Sequence, residues 1–367
     1  MFNRFLVYLK NFDWILFGAI LFLVSFGLLA IYSASLGQET KSLLNLEKQV
    51  IFVSLGIVIL FILSFMDYHV WRNYSGLIFI FGIILLVAVL VFGEVVRGTR
   101  GWFALGIIKL QPVEFVKFFL ILFLAQYFAK FSLKVKTAKH IFLSGLSAFV
   151  FLALVMLQPD FGSAMILFVI WVVLVYAAGL PRKYFLALAL ILTVIFSLAW
   201  GFYFKPYQKE RIMTFANPSF NPLKQSYNVA QAIIAVGAGG SFGRGIGFGS
   251  QSQLKFLPES QNDFIFAVVG EQFGFLGVCL LIFFFGLFFW RCLASLKKIN
   301  NDFGIFFIIG VVALIFIEMF INIGMNIGLL PVVGISLPFL SYGGSAMIAN
   351  LTKVGVVESI IVRSRIR

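Results

Sequence analysis

Four short stretches of this 367-residue chain carry side chains able to do chemistry. Glu114 and Lys117 stand three apart, so on a helix they share a face and can pair. Gln111 and Pro112 come just before them. Gln158-Pro159-Asp160-Phe161-Gly162 is the second stretch, and Leu257-Pro258-Glu259 with Asn262-Asp263 the third. Ser341-Tyr342-Gly343-Gly344-Ser345 is the fourth. The carboxylates offer proton acceptors, while Lys117 and Arg211 offer fixed positive charge for an anion. Plainer readings stand beside these. Glu114–Lys117 could be a structural ion pair stiffening its helix, Asp263 a helix N-cap or dipole partner, and Trp102 an interfacial anchor.

The elements that must position these residues are membrane helices. Apolar residues make up 62% of the chain and charged ones 11%, with 48 phenylalanines, more apolar surface than a soluble domain of this length can hide. The net charge of +14 is spread between apolar blocks rather than gathered in a patch, so nucleic acid is not the expected partner; membrane lipids are. Cys279 and Cys292 would lie about 20 Å apart on one helix, too far to bridge. His69 and His140 are isolated, so no His/Cys metal site is expected. Arg4, Lys10, an apolar block and Ser33-Ala34-Ser35 imitate a signal peptide. The block is long for one, and it reads as a retained first span.

At about 20 apolar residues per crossing, the sequence predicts an all-α integral membrane protein, one polytopic domain over 1–367 with ten transmembrane helices. They fall near 14–34, 49–65, 74–93, 112–129, 141–157, 162–180, 184–204, 263–290, 303–325 and 341–362. Placing the N-terminus inside collects Arg4, Lys10, Arg72, Lys130, Arg182, Lys183, Arg291, Lys297, Lys298 and Arg363 on short inner segments. The positive-inside rule then makes both termini cytoplasmic and the 205–262 loop, between helices seven and eight, extracytoplasmic.

On that topology all four stretches open even-numbered helices at the outer face. Gathered helix N-termini, with spare N–H groups and positive dipole ends, form an anion site, and Arg97, Arg100, Lys109, Lys205, Lys209, Arg211 and Lys224 surround it. The run GAGGSFGRGIGFG lacks GxGxxG spacing and a preceding strand, so it reads as a flexible, tightly turned loop rather than a nucleotide site. Asn322, Asn326, Pro331 and Pro338 suggest a broken helix or re-entrant turn. Glu318 and Lys353 fall inside helices nine and ten. These helices are consecutive and expected to pack side by side, so the two charges are expected to form a buried structural ion pair.

The motifs resemble those of a known family. Trp102 is followed by QPxExxK (Gln111, Pro112, Glu114, Lys117) and QPDxG (Gln158 to Gly162). Arg211 with Phe215 and Pro218, LPE…DFIFAVxGE (Leu257 to Glu271) and NIGMxxGLLPxxGxxLPFxSYGGS (Asn322 to Ser345) complete the set. In this order over the whole chain they are similar to the SEDS family, the RodA/FtsW peptidoglycan polymerases. Length and QSQLKFLPE look more like RodA, IYSAS and LPFLSYGGS more like FtsW, and the resemblance leans to RodA. Val113, Asn262, Gly101 and Gln272 depart from the family pattern, and Glu318 and Lys353 stand where it has apolar or amide residues.

The resemblance implies a glycosyltransferase that joins lipid II units on the outer leaflet, with undecaprenyl pyrophosphate as leaving group. Such a reaction needs one base for the acceptor 4-hydroxyl and cations for the diphosphate. Asp263 is then the catalytic base. Glu114, Lys117, Arg211, Trp102, Gln111, Asp160, Glu259 and Ser341 are substrate-binding candidates. No protein metal site is implied, although Mg2+ or Mn2+ could bridge Asp263 and the diphosphate. The family also implies a class B penicillin-binding protein, a transpeptidase, as partner. A lipid II flippase and a non-catalytic scaffold for the transpeptidase are the alternatives.

Overall fold

The computed structural model describes residues 2–36, 43–96, 98–106, 108–131, 138–179, 201, 209, 213, 225–254, 256–257 and 259–366. An opening helix α1 (Phe2–Asn11) precedes α2 (Trp14–Ser35), α3 (Leu43–Phe65) and α4 (Tyr68–Phe92). Strands β1 (Glu94–Val96), β2 (Thr99–Leu105) and β3 (Ile108–Leu110) then lead to α5 (Pro112–Phe131), α6 (Ala138–Leu157) and α7 (Phe161–Ala177). After the 205–224 region come α8 (Gln225–Ala238) and α9 (Ser250–Gln253), then α10 (Ile265–Ser295), α11 (Asp302–Asn326) and α12 (Gly344–Ile366).

Among the described residues eight helices are long and apolar enough to cross a membrane, and α7, at 17 residues, is a ninth apolar helix. These coincide with nine of the ten expected segments; the expected helix over 184–204 lies outside the described residues. The spans are apolar on both sides, toward the core and toward the outside. Phe81, Phe92, Phe142, Phe149 and Phe283 are exposed, as side chains facing lipid tails should be. α12 is the most enclosed span, packed chiefly on α3, while α5 sits between α4 and α11, and α2 lies along α10.

Three features extend the helical expectation. A small antiparallel sheet, ordered β1-β2-β3, joins α4 to α5, with Glu94 opposite Trp102 and Phe103 opposite Leu110. Its two reversals use Gly98 (φ 83°) and Gly106 (φ 66°), left-handed positions that glycine adopts without steric cost. Second, α8 lies within the expected 205–262 loop and packs Ala232 and Ala235 against Phe264, Ala267 and Val268 of the α10 start.

Third, the glycine run is docked rather than a free loop. α10 is broken at Gly274 (φ 62°, ψ −160°), which frees carbonyls above the break and amides below it. The loop takes up both sets. Arg244 and Gly245 N–H donate to the Glu271 and Gln272 carbonyls (2.9 and 3.0 Å), while Phe275 and Leu276 N–H donate to Gly240 and Ser241 (2.9 and 3.1 Å). A break within a membrane helix is tolerable when protein re-satisfies its backbone in this way. The approach leaves no room for side chains: a Cβ on Gly243 would lie 2.1 Å from the Gln272 oxygen. The fully buried Glu271 carboxylate fastens the end of the loop, accepting from Gln251 (2.8 Å) and Ser252 (3.1 Å) N–H.

At the opposite end of the bundle Asp13 caps α2 and clasps two other helices. It accepts from Leu16 N–H, from Arg291 of α10 (2.5 Å) and from Arg365 of α12 (2.5 Å). Burial pushes this carboxyl up, but the bonds from Arg291 and Leu16 and the two guanidinium charges outweigh it and hold it below the usual carboxylate range.

Candidate active site

The four motif stretches meet at one cavity of ≈ 520 Å³. Gln111, Glu114 and Lys117 reach it from the start of α5, Asp160 to Ser163 from the start of α7, and Asn262 and Asp263 from the approach to α10. Tyr342 to Ala346 reach it from the start of α12. Trp102 and Thr99 of the sheet form one wall, and Pro331 with Val333 to Ser336 another. The latter wall belongs to the non-helical segment 327–343 between α11 and α12, so the broken-helix expectation corresponds to backbone that lines a cavity.

Each local geometry has a chemical reason. Asn322 and Asn326 sit one turn apart on α11 and both donate to the Asp263 carbonyl (2.9 and 3.0 Å). Asn322 also donates to the Ile335 carbonyl (2.8 Å), and Asn326 accepts from Ala267 N–H (3.1 Å). Two amides therefore tie the α10 entry to the non-helical wall and fix Asp263 opposite Gly334, whose φ of 74° suits glycine. A Cβ on Gly334 would lie 3.7 Å from the Asp263 Oδ2. Gln49, fully buried on α3, donates to the Ser341 carbonyl (3.2 Å) and accepts from Gly343 N–H (3.1 Å), holding the α12 entry. Ser345 accepts from Gln111 N–H (2.9 Å) and so joins the α12 and α5 entries. Burial pushes the Tyr342 phenol up, leaving it a neutral hydroxyl at the cavity wall.

Of the nine residues singled out from sequence, Asp263, Glu114, Lys117, Trp102, Gln111 and Asp160 line the cavity. Asp160 does so as the α7 N-cap: one oxygen accepts from Ser163 N–H (3.0 Å) and the other from its hydroxyl (2.7 Å). Ser341 and Glu259 are not among the lining residues. The Ser341 hydroxyl donates to the Asn262 carbonyl (2.7 Å), and Glu259 accepts from the Asn262 side-chain amide (2.7 Å). Both therefore shape the segment leading into Asp263. Arg211 lies outside the described residues.

The expected Glu318–Lys353 pair is replaced by a different one. Lys117 Nζ lies 2.6 Å from Glu318 Oε1 and 2.8 Å from Glu114 Oε1, whereas Lys353 donates to Asn350 (2.7 Å). The reason is in the packing: α11 lies mainly against α5 and α7 and touches α12 much less. The 327–343 segment separates two helices that the sequence makes consecutive. Sequence reasoning also passed over Lys48, which joins Lys109 and Lys117 as a cavity cation. Its signal was a charge at the very end of an apolar block.

A multi-pass bundle with carboxylates and lysines converging on a cavity where several helices begin is a membrane protein built around a polar, charge-bearing ligand. The pattern of the family described as "Cell cycle protein" (FtsW, RodA, SpoVE) matches residues 13–366, and the chain belongs to that family, the SEDS proteins. It is 36% identical over 355 residues to Stage V sporulation protein E of Bacillus subtilis (strain 168), covering 94% of this chain and 95% of that one. It is 33% identical over 341 residues to the peptidoglycan glycosyltransferase MrdB of Escherichia coli (strain K12), covering 93% and 91%. A solved chain from a peptidoglycan synthase complex that coordinates polymerization and crosslinking superposes with a TM-score of 0.83 at 28% identity, covering 96% of this chain and 98% of that one. Proteins named for sporulation, FtsW and RodA all match, so the lean toward RodA is not resolved by them. The chain is a multi-pass protein of the bacterial cytoplasmic membrane.

Proposed function

We infer that the chain is a peptidoglycan glycosyltransferase that polymerises lipid II. The observation carrying this reading is the cavity that brings Asp263 together with three lysines, Lys48, Lys109 and Lys117, while the two other carboxylates that line it, Glu114 and Asp160, are engaged by Lys117 and by Ser163. That is the equipment for one proton transfer beside a diphosphate leaving group that gains negative charge as it departs, and it differs from the paired catalytic carboxylates of a glycosidase. Asp263 accepts the proton of the acceptor 4-hydroxyl as its oxygen attacks the anomeric carbon of the donor sugar. The bond from that carbon to the diphosphate breaks, and undecaprenyl pyrophosphate leaves carrying the electron pair. The lysines and the helix openings stabilise the charge that accumulates on it. Trp102 and Gln111, which line the cavity, are proposed to hold the sugars, and Arg211 is proposed as a further cation on the strength of its motif.

A divalent cation, when bound, would bridge Asp263 and the diphosphate. Among the described residues no group of three His, Cys, Asp or Glu could hold one, so a cation would need the substrate's own oxygens beside Asp263, and no step here depends on it. The cavity is proposed to open on the outer face, with both termini cytoplasmic as the Lys/Arg distribution asks. The related synthase complex supports a class B penicillin-binding protein as partner, crosslinking the strands made here.

The deciding experiment is glycan-strand synthesis from lipid II by purified protein in detergent with its transpeptidase present. Flipping has no meaning there, so product formation separates an enzyme from a flippase or a scaffold. The parent should make strands, and Asp263→Asn should lose at least about 100-fold while unfolding at the parent temperature. Parent-level synthesis by that variant would reduce Asp263 to a helix-opening residue.

A further inference from the structure

Lys117 is surrounded by more acid than the transfer reaction calls for. Its ammonium contacts Glu114, three residues earlier on α5, and Glu318, which comes from α11 and does not line the cavity. Lys117 and Glu318 are each 3% exposed and Glu114 6%. An ammonium has three N–H donors and no acceptor. Two donors go to the two carboxylates, which leaves one for the cavity that Lys117 lines.

A Lys with a single partner pivots on four methylenes, and its charge can follow that partner or leave it. Held from two helices, the same ammonium has one position, and its remaining N–H has one direction. Glu318 supplies the second anchor. It would also leave the cluster with one negative charge too many, were it not for Lys353. Lys353 is fully buried on α12, donates to Asn350, and has no carboxylate within 4.0 Å among the described residues. Glu114 and Glu318 against Lys117 and Lys353 make two charges of each sign, and burying them is tolerable only as a neutral set.

We propose that Glu318 is a positioning residue for glycosyl transfer: it fixes the Lys117 ammonium at the cavity wall, and Lys353 is the buried counter-charge that makes this second acid tenable. The two charges that stand outside the family pattern then belong to one device. Lys117 in this chain is a directed hydrogen-bond donor to the leaving diphosphate rather than a bare cation, because its field is largely cancelled by the acids that hold it. This rests on the glycosyltransferase reading above.

The test uses the full-length protein, with unfolding temperature and steady-state lipid II polymerisation measured on each variant. Glu318→Gln strands the Lys353 charge and frees Lys117, so both stability and turnover should fall. Glu318→Gln with Lys353→Met returns the cluster to the neutral Glu114–Lys117 pair. It should unfold within about 2 °C of the parent, yet keep kcat about tenfold low with KM changed by less than about twofold. Glu318→Asp with Lys353 intact keeps the anchoring charge and should recover part of kcat. If the double variant regains both stability and kcat, Glu318 is only a charge partner and the positioning role is overturned. A thermal cycle of Glu318→Gln and Lys117→Met needs no activity: non-additive losses support the anchor, and additive losses overturn it. A parent protein that makes no glycan would instead overturn the function proposed above, and the thermal cycle would still decide whether Glu318 holds Lys117.

Discussion

The Asp263 carboxylate depends on two asparagines that never reach the cavity. Asn326 donates to the Asp263 carbonyl and accepts from Ala267 N–H, so truncating it removes two buried hydrogen bonds at the entry of α10, while Asn322 still donates to the same carbonyl and Phe264 O still accepts from Ala267 N–H. Asn326→Ala should lower stability by about 2 kcal/mol and reduce turnover well beyond what that loss explains, because Asp263 loses half its backbone clamp. Equal unfolding temperatures and equal turnover would show that Asn322 alone suffices. At this scale the sequence was informative wherever polarity interrupted an apolar block: Glu114, Lys117, Asp160 and Asp263 stand out for that reason. It was silent on Lys48, whose place at the end of a span looks like any interfacial lysine. It misled on Glu318, because nearness in sequence is a poor guide to which helices touch; the true partner, Lys117, is 201 residues away.

At the scale of elements, nine of the ten expected helices could be read from hydropathy, since each described span must carry its own run of apolar residues. The sheet and the docking of the glycine loop were not legible. Strands of three and seven residues leave little period-2 signal, and a run of glycines signals freedom of the backbone without saying what uses it. In this chain the user is the break in α10. A Cβ on Gly274 would lie 2.2 Å from the Gly243 nitrogen, and its φ of 62° is one that L side chains rarely adopt. Gly274→Ala should therefore cost about 3 kcal/mol or more, measured as a drop in unfolding temperature. A substitution at Gly286, where a Cβ meets nothing within 4 Å, should cost far less. Similar losses at both positions would mean that the break is not held by the loop.

For the molecule as a whole, orientation decides whether the site faces substrate. Phe248, 77% exposed on the glycine loop, and Lys298, exposed beyond the end of α10, lie at opposite ends of that helix. In a protein whose Cys279 and Cys292 have been replaced, a cysteine at position 248 should react with an impermeant thiol reagent on intact cells, and one at 298 only after lysis. The reverse pattern would turn the cavity toward the cytoplasm and remove the outer-leaflet reading. The clasp of Asp13 on Arg291 and Arg365 would then lie on the wrong side as well. It ties together the start of α2 and the far ends of α10 and α12, so the end remote from the cavity is closed by charge while the cavity end is open.

The bonds exchanged at Gly274 give two amides of α10 a different timekeeper from their neighbours. Phe275 and Leu276 belong to the helix by sequence, but their hydrogens are held by Gly240 and Ser241. In hydrogen–deuterium exchange they should take up deuterium in step with Arg244 and Gly245, at the rate at which the loop lifts off. Amides farther along α10, such as that of Leu281, should wait for far rarer openings. Two protons within a membrane helix would thus record how often the glycine loop leaves its seat, and a uniform rate along α10 would show that loop and helix open only together.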